Sequence, residues 1–174
     1  MKKIILAFAL LVCLVSGYVL AEDVVVTVNL VSADGVGKEI GKITAKDTKY
    51  GLLLEPSLSD LPPGVHGFHL HENPSCEAAK KDDKMTAALS AGGHLDPDKT
   101  GKHEGPYASG HMGDLPPLYV GADGKADTPV LAPRLKTSDL KGRSLMIHAG
   151  GDNFSDQPNP LGGGGARIAC GVVK

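Results

Sequence analysis

The sequence predicts an all-β protein, an antiparallel sandwich or barrel with Greek-key connections between its strands. Tryptophan is absent and aromatic residues make up only 4% of the chain, whereas there are 23 glycines and 12 prolines. This composition favours many short strands joined by turns over long helices. Alternation supports the same fold, since Val24, Val26, Val28 and Leu30 would share one face of the first strand.

Eight segments carry a strand signal, with apolar residues between turn-forming residues. In chain order they are residues 24–31, 37–45, 50–54, 64–71, 118–121, 126–130, 144–149 and 167–173. The polar residues 46–49 predict a turn between the second and third segments. Asp123 and Gly124 are a hairpin signal between the fifth and sixth segments.

Two long segments, residues 72–117 and 150–166, have almost no strand signal. Residues 77–90 are rich in alanine and predict, weakly, one or two turns of helix. Structureless connections of this length require something functional to organise them. The glycine run 162–165 is not followed by Gly-Lys-Ser/Thr, so it predicts backbone passing close over a site rather than a phosphate-binding loop.

The first 21 residues predict a secretory signal peptide, cleaved near Ala21. Lys2 and Lys3 precede an apolar run at residues 4–15, which is too short to favour the alternative of an uncleaved membrane anchor. Residues 22–174 would then form one domain.

The charge and the cysteines limit what the mature chain can be. The formal net charge is −2, and loss of the leader makes the chain two charges more negative, so no basic surface for nucleic acid is indicated. No second apolar span follows the leader. Cys76 and Cys170 remain after cleavage, and two cysteines in an exported protein suggest one disulfide, with two free thiols as the alternative.

Six of the seven histidines lie within or beside the segments that lack strand signal. His94, His103 and His111 fall in the first segment, with Asp114 three residues after the last of them. His148 precedes the second segment. This grouping favours metal binding over chance scatter.

Strand alternation divides the remaining histidines. His69 and His71 would point to one side, close enough to share a metal, while Phe68 and Leu70 point to the core on the other side. His66 falls on the core side, so we predict a buried structural histidine there.

The ligand types indicate copper and zinc. An all-nitrogen tetragonal set favours copper, whereas the three imidazoles and one carboxylate of His94, His103, His111 and Asp114 suit a closed tetrahedral zinc site. Six histidines would then have to supply four copper and three zinc ligands, so one must bridge. His94 is a plausible bridge, although spacing alone does not decide it. The zinc-protease pattern His-Glu-x-x-His is absent.

Five motifs lie along the predicted mature chain: GFHLHE at 67–72, GHLDP at 93–97, KHEGP at 102–106, GHMGDL at 110–115 and GARIACG at 165–171. Taken together they are very specific, and the chain resembles the copper-zinc superoxide dismutases over essentially all of its predicted mature length. The signal peptide and the form of the last loop resemble the bacterial, periplasmic branch.

The resemblance implies an eight-stranded flattened antiparallel Greek-key barrel with two long loops over the metal site, and one copper and one zinc ion per chain. It implies copper on His69, His71, His94 and His148, and zinc on His94, His103, His111 and Asp114. It also implies a Cys76–Cys170 disulfide, a hydrogen-bonding role for Asp152 toward His69 and His103, and a substrate-guiding role for Arg167.

The implied activity is dismutation of two superoxide anions with two protons to dioxygen and hydrogen peroxide, in the periplasm. The implied catalytic residues are Arg167, which attracts the anion, and His94, which takes and returns a proton. Lys80, Lys81 and Lys84 are further candidates for steering. The expected partner is superoxide alone, without nucleic acid or membrane, and family members occur as homodimers and as monomers. A copper-delivery protein and a structural domain on the same scaffold are the rival interpretations.

Overall fold

The computed structural model describes residues 22–174, and the prediction of an all-β fold is confirmed. These residues form eleven strands and three short 3-10 helices, with no α-helix among them. The strands are β1 (Val24–Ser32), β2 (Gly35–Thr48), β3 (Gly51–Leu58), β4 (Gly64–His66), β5 (Phe68–His71), β6 (Ala79–Lys81), β7 (Lys84–Thr86), β8 (Leu118–Val120), β9 (Val130–Ala132), β10 (Arg143–His148) and β11 (Arg167–Val173). The 3-10 helices are Leu89–Ala91, Thr137–Asp139 and Leu161–Gly163. The predicted signal peptide lies outside the described residues.

Seven strands form one antiparallel sheet in the order β5-β10-β11-β1-β2-β3-β9, and two further pairs, β4-β8 and β6-β7, lie beside it. Phe68 on the strand at one end of this order and Ala132 on the strand at the other end belong to the same buried cluster. The sheet therefore curls around one apolar core. Neighbouring strands such as β3 and β9 are far apart in the chain, as Greek-key connections require.

Each predicted strand segment has a counterpart, with some shifts in position. The segment 64–71 is divided at Gly67 into β4 and β5. The segment predicted at 126–130 was placed too early, since β9 begins at Val130 and Ala126 forms only an isolated bridge to Leu58. The turn predicted at 46–49 begins later, since residues 46–48 continue β2 and pair with β3 as far as Thr48 and Gly51.

The weak prediction of one or two turns of helix at 77–90 is correct only for a single 3-10 turn at the end of the segment and wrong for the rest. The segment contains the hairpin β6–β7, in which Lys81 pairs with Lys84 across a turn formed by Asp82 and Asp83. Both aspartates have positive φ, 49° and 61°, as tight hairpin turns of this kind require. Only the single turn Leu89–Ala91 is helical in this region. Alanine propensity was too weak to override the turn chemistry.

The disulfide joins Cys76 to Cys170, across a separation of 94 residues. It ties the first long loop to β11, in a small apolar cluster separate from the main core. Across residues 22–174, no helix has the length and apolar character needed to cross a membrane.

Candidate metal centre

Strand β5 positions the first histidines and also recruits the first long loop. Phe68 and Leu70 are fully buried in the main core, whereas His69 and His71 point to the opposite side and are buried there. β5 is the terminal strand of the seven-stranded sheet, so its outer edge is free to pair. The loop fills that edge through isolated bridges His69–Asp114 and His71–His94.

The pairing also uses backbone hydrogen bonds on both sides of Leu70. Its N–H donates to the Gly113 carbonyl at 2.8 Å, and its carbonyl accepts from the Leu95 N–H at 2.8 Å. These bonds hold the loop residues beside the strand histidines. Residues more than 20 positions apart therefore meet in one cluster.

The structure brings together all four predicted copper ligands. One ligand atom from each of His69, His71, His94 and His148 lies within 4.8 Å of the other three. The Nδ1 atom of His69 and the Nε2 atoms of the other three rings are buried and have no hydrogen-bond partner.

The second nitrogen of each of these rings is held by the protein. His71 Nδ1 donates to the Gly92 carbonyl at 3.0 Å, and His148 Nδ1 donates to the Gly165 carbonyl at 3.2 Å. His69 Nε2 lies 2.8 Å from a carboxylate oxygen of Asp152. Such bonds set the tautomer and the orientation of a metal-binding imidazole.

The predicted zinc ligands converge on one carboxylate. Asp114 Oδ1 lies 2.9 Å from His94 Nδ1, 3.0 Å from His103 Nδ1 and 3.4 Å from His111 Nδ1. A second group of ligand atoms within 4.8 Å of one another contains His69, His94, His103 and Asp114. His111 is not in this closest group, although its Nδ1 is buried and unpaired.

His94 faces both groups of ligands with its two ring nitrogens. Its Nδ1 is directed toward Asp114, while its Nε2 is buried without a partner on the side of His69 and His71. The His94 ring stacks on the His69 ring with centroids 3.8 Å apart. This placement is what a histidine shared by two metals requires.

Asp152 connects the two groups through a second route. Its side chain is fully buried, and its two oxygens each lie 2.8 Å from a ring nitrogen, one on His69 and the other on His103. Gly162 approaches so closely that an added Cβ would be 2.1 Å from Asp152 Oδ1. The glycine run therefore passes directly over this carboxylate, as predicted.

Burial lowers the pKa of the histidines on the first side of the centre. Desolvation is the main cause for His69, whose pKa falls to about 3, and for His148, whose pKa falls to about 4. The pKa of His71 is also well below its ordinary value, chiefly through burial. These rings are neutral near pH 7 and offer lone pairs to a cation.

The second side of the centre carries an excess of negative charge. Burial would raise the pKa of Asp114 and of Asp152, but hydrogen bonds from the neighbouring histidines outweigh burial and lower both values. Burial alone would lower the pKa of His103, yet its hydrogen bond to Asp152 and its close approach to the Asp114 carboxylate raise it to about 9. Positive charge is thus stabilised between these carboxylates, and a divalent cation would supply it.

Arg167 lies at the edge of the first group. Its Nη1 donates to the Ala88 carbonyl at 2.6 Å and its Nη2 to the Gly92 carbonyl at 2.7 Å. The Gly92 carbonyl also accepts from His71 Nδ1. Arg167 is only partly buried, so its remaining N–H groups are available to an anion.

His66 stands apart from the ligands, and the prediction that it is a buried structural histidine is confirmed. It is 3% exposed, with Nδ1 2.7 Å from the His148 carbonyl and Nε2 2.8 Å from the Pro62 carbonyl. Both ring nitrogens are therefore engaged by the backbone and neither is free for a metal.

One residue beside the centre was missed by sequence reasoning. Asp156 accepts from the backbone N–H of His103 at 2.9 Å and from that of Leu161 at 3.2 Å. It therefore ties the second long loop to a predicted zinc ligand. Its position, 53 residues from His103, carries no local pattern that could have revealed the contact.

Sequence and structure comparisons point to the same family. The family model described as copper/zinc superoxide dismutase (SODC) matches residues 39–173. The Escherichia coli K12 protein "Superoxide dismutase [Cu-Zn]" is 55% identical over 175 aligned residues, covering 100% of each chain. Among solved structures, the Cu/Zn superoxide dismutase from Brucella abortus is 51% identical with a TM-score of 0.86, covering 88% of this chain and all of the other. The monomeric copper, zinc superoxide dismutase from Salmonella enterica is 58% identical with a TM-score of 0.80, at the same coverage.

Proposed function

The chain belongs to the copper/zinc superoxide dismutase family, and on that premise we propose which of its residues hold each metal and handle the substrate. As a member it converts two superoxide anions and two protons to dioxygen and hydrogen peroxide, with one copper and one zinc ion per chain. We assign copper to His69, His71, His94 and His148. We assign zinc to His94, His103, His111 and Asp114.

One observation carries this assignment. Among residues 22–174, the buried side-chain nitrogen and oxygen atoms without a hydrogen-bond partner are six imidazole nitrogens, and they belong to the six assigned histidines. An unpaired buried polar atom is unfavourable by about 1–3 kcal/mol, so a cluster of six requires an explanation. Metal coordination satisfies all six at once.

The donor types separate the two metals. The first set offers four imidazoles, which suits copper. The second set offers three imidazoles and a carboxylate, which suits a structural zinc. His111 completes the second set because the one unpaired nitrogen of His69 is already used in the first.

When bound, copper supplies the reversible one-electron transfer that dismutation needs, and zinc, which has no redox chemistry, supplies positive charge and structure. Arg167 binds the superoxide anion through the N–H groups that its two carbonyl contacts leave free. His94 Nε2, the buried nitrogen assigned to copper, would take up a proton when it is not coordinated and pass it to the reduced product.

Asp152 fixes the position of the two halves of the centre relative to each other. It is a positioning group for His69 and His103, one ligand from each half, and it does not contact substrate. The lysines on the β6–β7 hairpin, Lys80, Lys81 and Lys84, are hypotheses for long-range steering because they are mostly exposed cations.

Metal analysis combined with dismutation tests the assignment. His71→Ala should lose copper while retaining zinc, and Asp114→Ala should lose zinc. Dismutation by the wild type should require copper. One copper and one zinc per chain without dismutation, or full copper occupancy in His71→Ala, would contradict the proposal. Readily transferable copper with little dismutation would favour the copper-delivery interpretation.

We propose that the protein is exported to the periplasm. The disulfide supports this location, because such bonds persist in oxidising compartments. Fractionation of cells and mass spectrometry of the purified chain test it, with a mature N-terminus at Glu22 expected.

For the oligomeric state of this protein, a homodimer and a monomer are both hypotheses. The Salmonella enterica relative is described as monomeric. Sedimentation equilibrium of the metal-loaded protein tests the two states, since a mass near twice that of the chain would support the dimer.

A further inference from the structure

Arg134 has an unusual set of contacts outside the ligands assigned above. Its guanidinium donates to four backbone carbonyls of one loop: Nε to Pro106 at 3.1 Å, Nη1 to Gly110 at 3.0 Å, Nη2 to Gly105 at 3.2 Å, and Nη2 also to His111. No side-chain acceptor takes part.

The four carbonyls belong to the two limbs of the loop that runs from His103 to His111. Gly105 and Pro106 are on the outgoing limb, and Gly110 and His111 are on the returning limb. The tip at residues 107–109 is exposed, with Tyr107 at 72%. The tip therefore gains little from burial, and the guanidinium between the limbs holds them at a set separation.

The base of Arg134 is anchored in the barrel. Ala132, two residues before it, pairs with Leu52 of β3 and is 2% exposed, and Leu135 directly after it is 1% exposed. Arg134 thus connects the rigid sheet to the loop. The connection ends on the carbonyl of His111 and on that of Gly105, two residues after His103.

We propose that Arg134 is a positioning residue for the zinc site, which fixes the separation between His103 and His111 by cross-linking the backbone of their loop. The inference rests on the zinc ligand set proposed above. The effect on zinc should exceed the effect on copper. Three copper ligands, His69, His71 and His148, lie on β5 and β10, and the shared ligand His94 also lies outside the loop from His103 to His111 that Arg134 contacts.

Arginine suits this task and lysine does not. The guanidinium is a planar fork with five N–H donors, whereas an ammonium group is a compact point charge with three donors on a flexible stem. Hydrogen bonds from a charged donor are also stronger than neutral ones. Replacement by alanine removes all four contacts, and replacement by lysine preserves the charge but not the bridge between the limbs.

The test measures zinc and copper affinity separately, by competition of the metal-loaded protein with a zinc chelator and with a copper chelator. Loss of a group that orients ligands typically weakens metal affinity about 10–100-fold, so we expect that loss of zinc affinity in Arg134→Ala, with copper affinity close to that of the wild type. The zinc affinity of Arg134→Lys should lie between that of Arg134→Ala and that of the wild type.

Arg143→Ala is the matched control. Arg143 is another partly buried arginine, whose Nε donates to the Asp139 carbonyl at 2.9 Å, but it contacts no residue of the zinc loop. It should leave zinc affinity unchanged. Cobalt(II) in the zinc site adds a readout of geometry, since its visible absorption bands should shift in Arg134→Ala and not in Arg143→Ala.

A purely structural role for Arg134 predicts a different pattern. Unchanged zinc affinity in Arg134→Ala, or equal losses of zinc and copper, would overturn the inference. If the alanine variant does not fold, the lysine variant carries the same comparison. Asp114→Ala in the same assay tests the zinc ligand set separately from the role of Arg134. If Asp114→Ala retains zinc, the ligand set is refuted. If Asp114→Ala loses zinc but Arg134→Ala retains it, only the role of Arg134 is refuted.

Discussion

Replacement of Gly162 by alanine should break the hydrogen bonds through which Asp152 links the two halves of the metal centre. Gly162 has φ of +72°, and a Cβ at this position would lie 2.1 Å from Asp152 Oδ1 and 2.7 Å from His103 Nε2. Ordinary contact begins near 3.4 Å, so the carboxylate oxygen must move by about 1.3 Å. The two hydrogen bonds that link Asp152 to His69 and His103 are each 2.8 Å long, and a shift of that size away from the rings breaks them.

The expected loss of folding stability in Gly162→Ala follows from these two bonds. Hydrogen bonds to charged groups contribute about 1.5–3 kcal/mol each, so losing both destabilises the fold by about 3–6 kcal/mol. The positive φ adds about 1–2 kcal/mol of backbone strain for a residue with a side chain. Gly163→Ala isolates the second effect, because Gly163 has φ of +77° and the nearest atom to its added Cβ is 3.8 Å away.

Urea unfolding of the metal-loaded proteins, together with metal analysis after dialysis against a chelator, provides the assay. Gly162→Ala should unfold at clearly lower urea than Gly163→Ala and should release both metals more readily. Equal unfolding midpoints and equal metal retention in the two variants would refute the reasoning, since the close approach to Asp152 would then have no energetic consequence.

Three further outcomes are expected. Arg167→Glu should slow dismutation severalfold or more and weaken its dependence on ionic strength in pulse radiolysis, because it replaces the cation beside the site with an anion; an unchanged rate constant would defeat the proposed role. His71→Ala should lose copper, whereas His66→Ala should retain both metals. His66→Ala should instead lower the free energy of unfolding, by about 1–3 kcal/mol for each backbone carbonyl left unpaired. Copper loss from His66→Ala would contradict the assignment of His66 as structural and His71 as a copper ligand. Cys76→Ser and Cys170→Ser should each lower the free energy of unfolding by about 4–5 kcal/mol on the chain-entropy model, and a loss far larger in one than in the other would show a role beyond the shared bond.

Local chemistry explains which structural predictions succeeded. Alternation with period 2 was sufficient to separate His66 from His69 and His71, because strand geometry fixes which side of the sheet each residue faces. The same rule failed to give the start of β9, where Ala126 and Val130 have similar apolar character and only tertiary pairing with β3 decides which is in the strand. The hairpin at Asp82 and Asp83 was missed because its alanine-rich flanks suggested helix.

The sequence by itself determined the all-β class, the candidate ligands and the family. Ligand identity and spacing are properties of the chain, and so are the motifs around them. Tertiary structure alone decided that the free edge of β5 recruits His94 and Asp114, and that a methyl group at Gly162 would displace Asp152. It also decided that Arg134 meets the zinc loop across 23 or more residues of chain. Such contacts depend on how strands curl and pair, and no local pattern of residues encodes the distances between them.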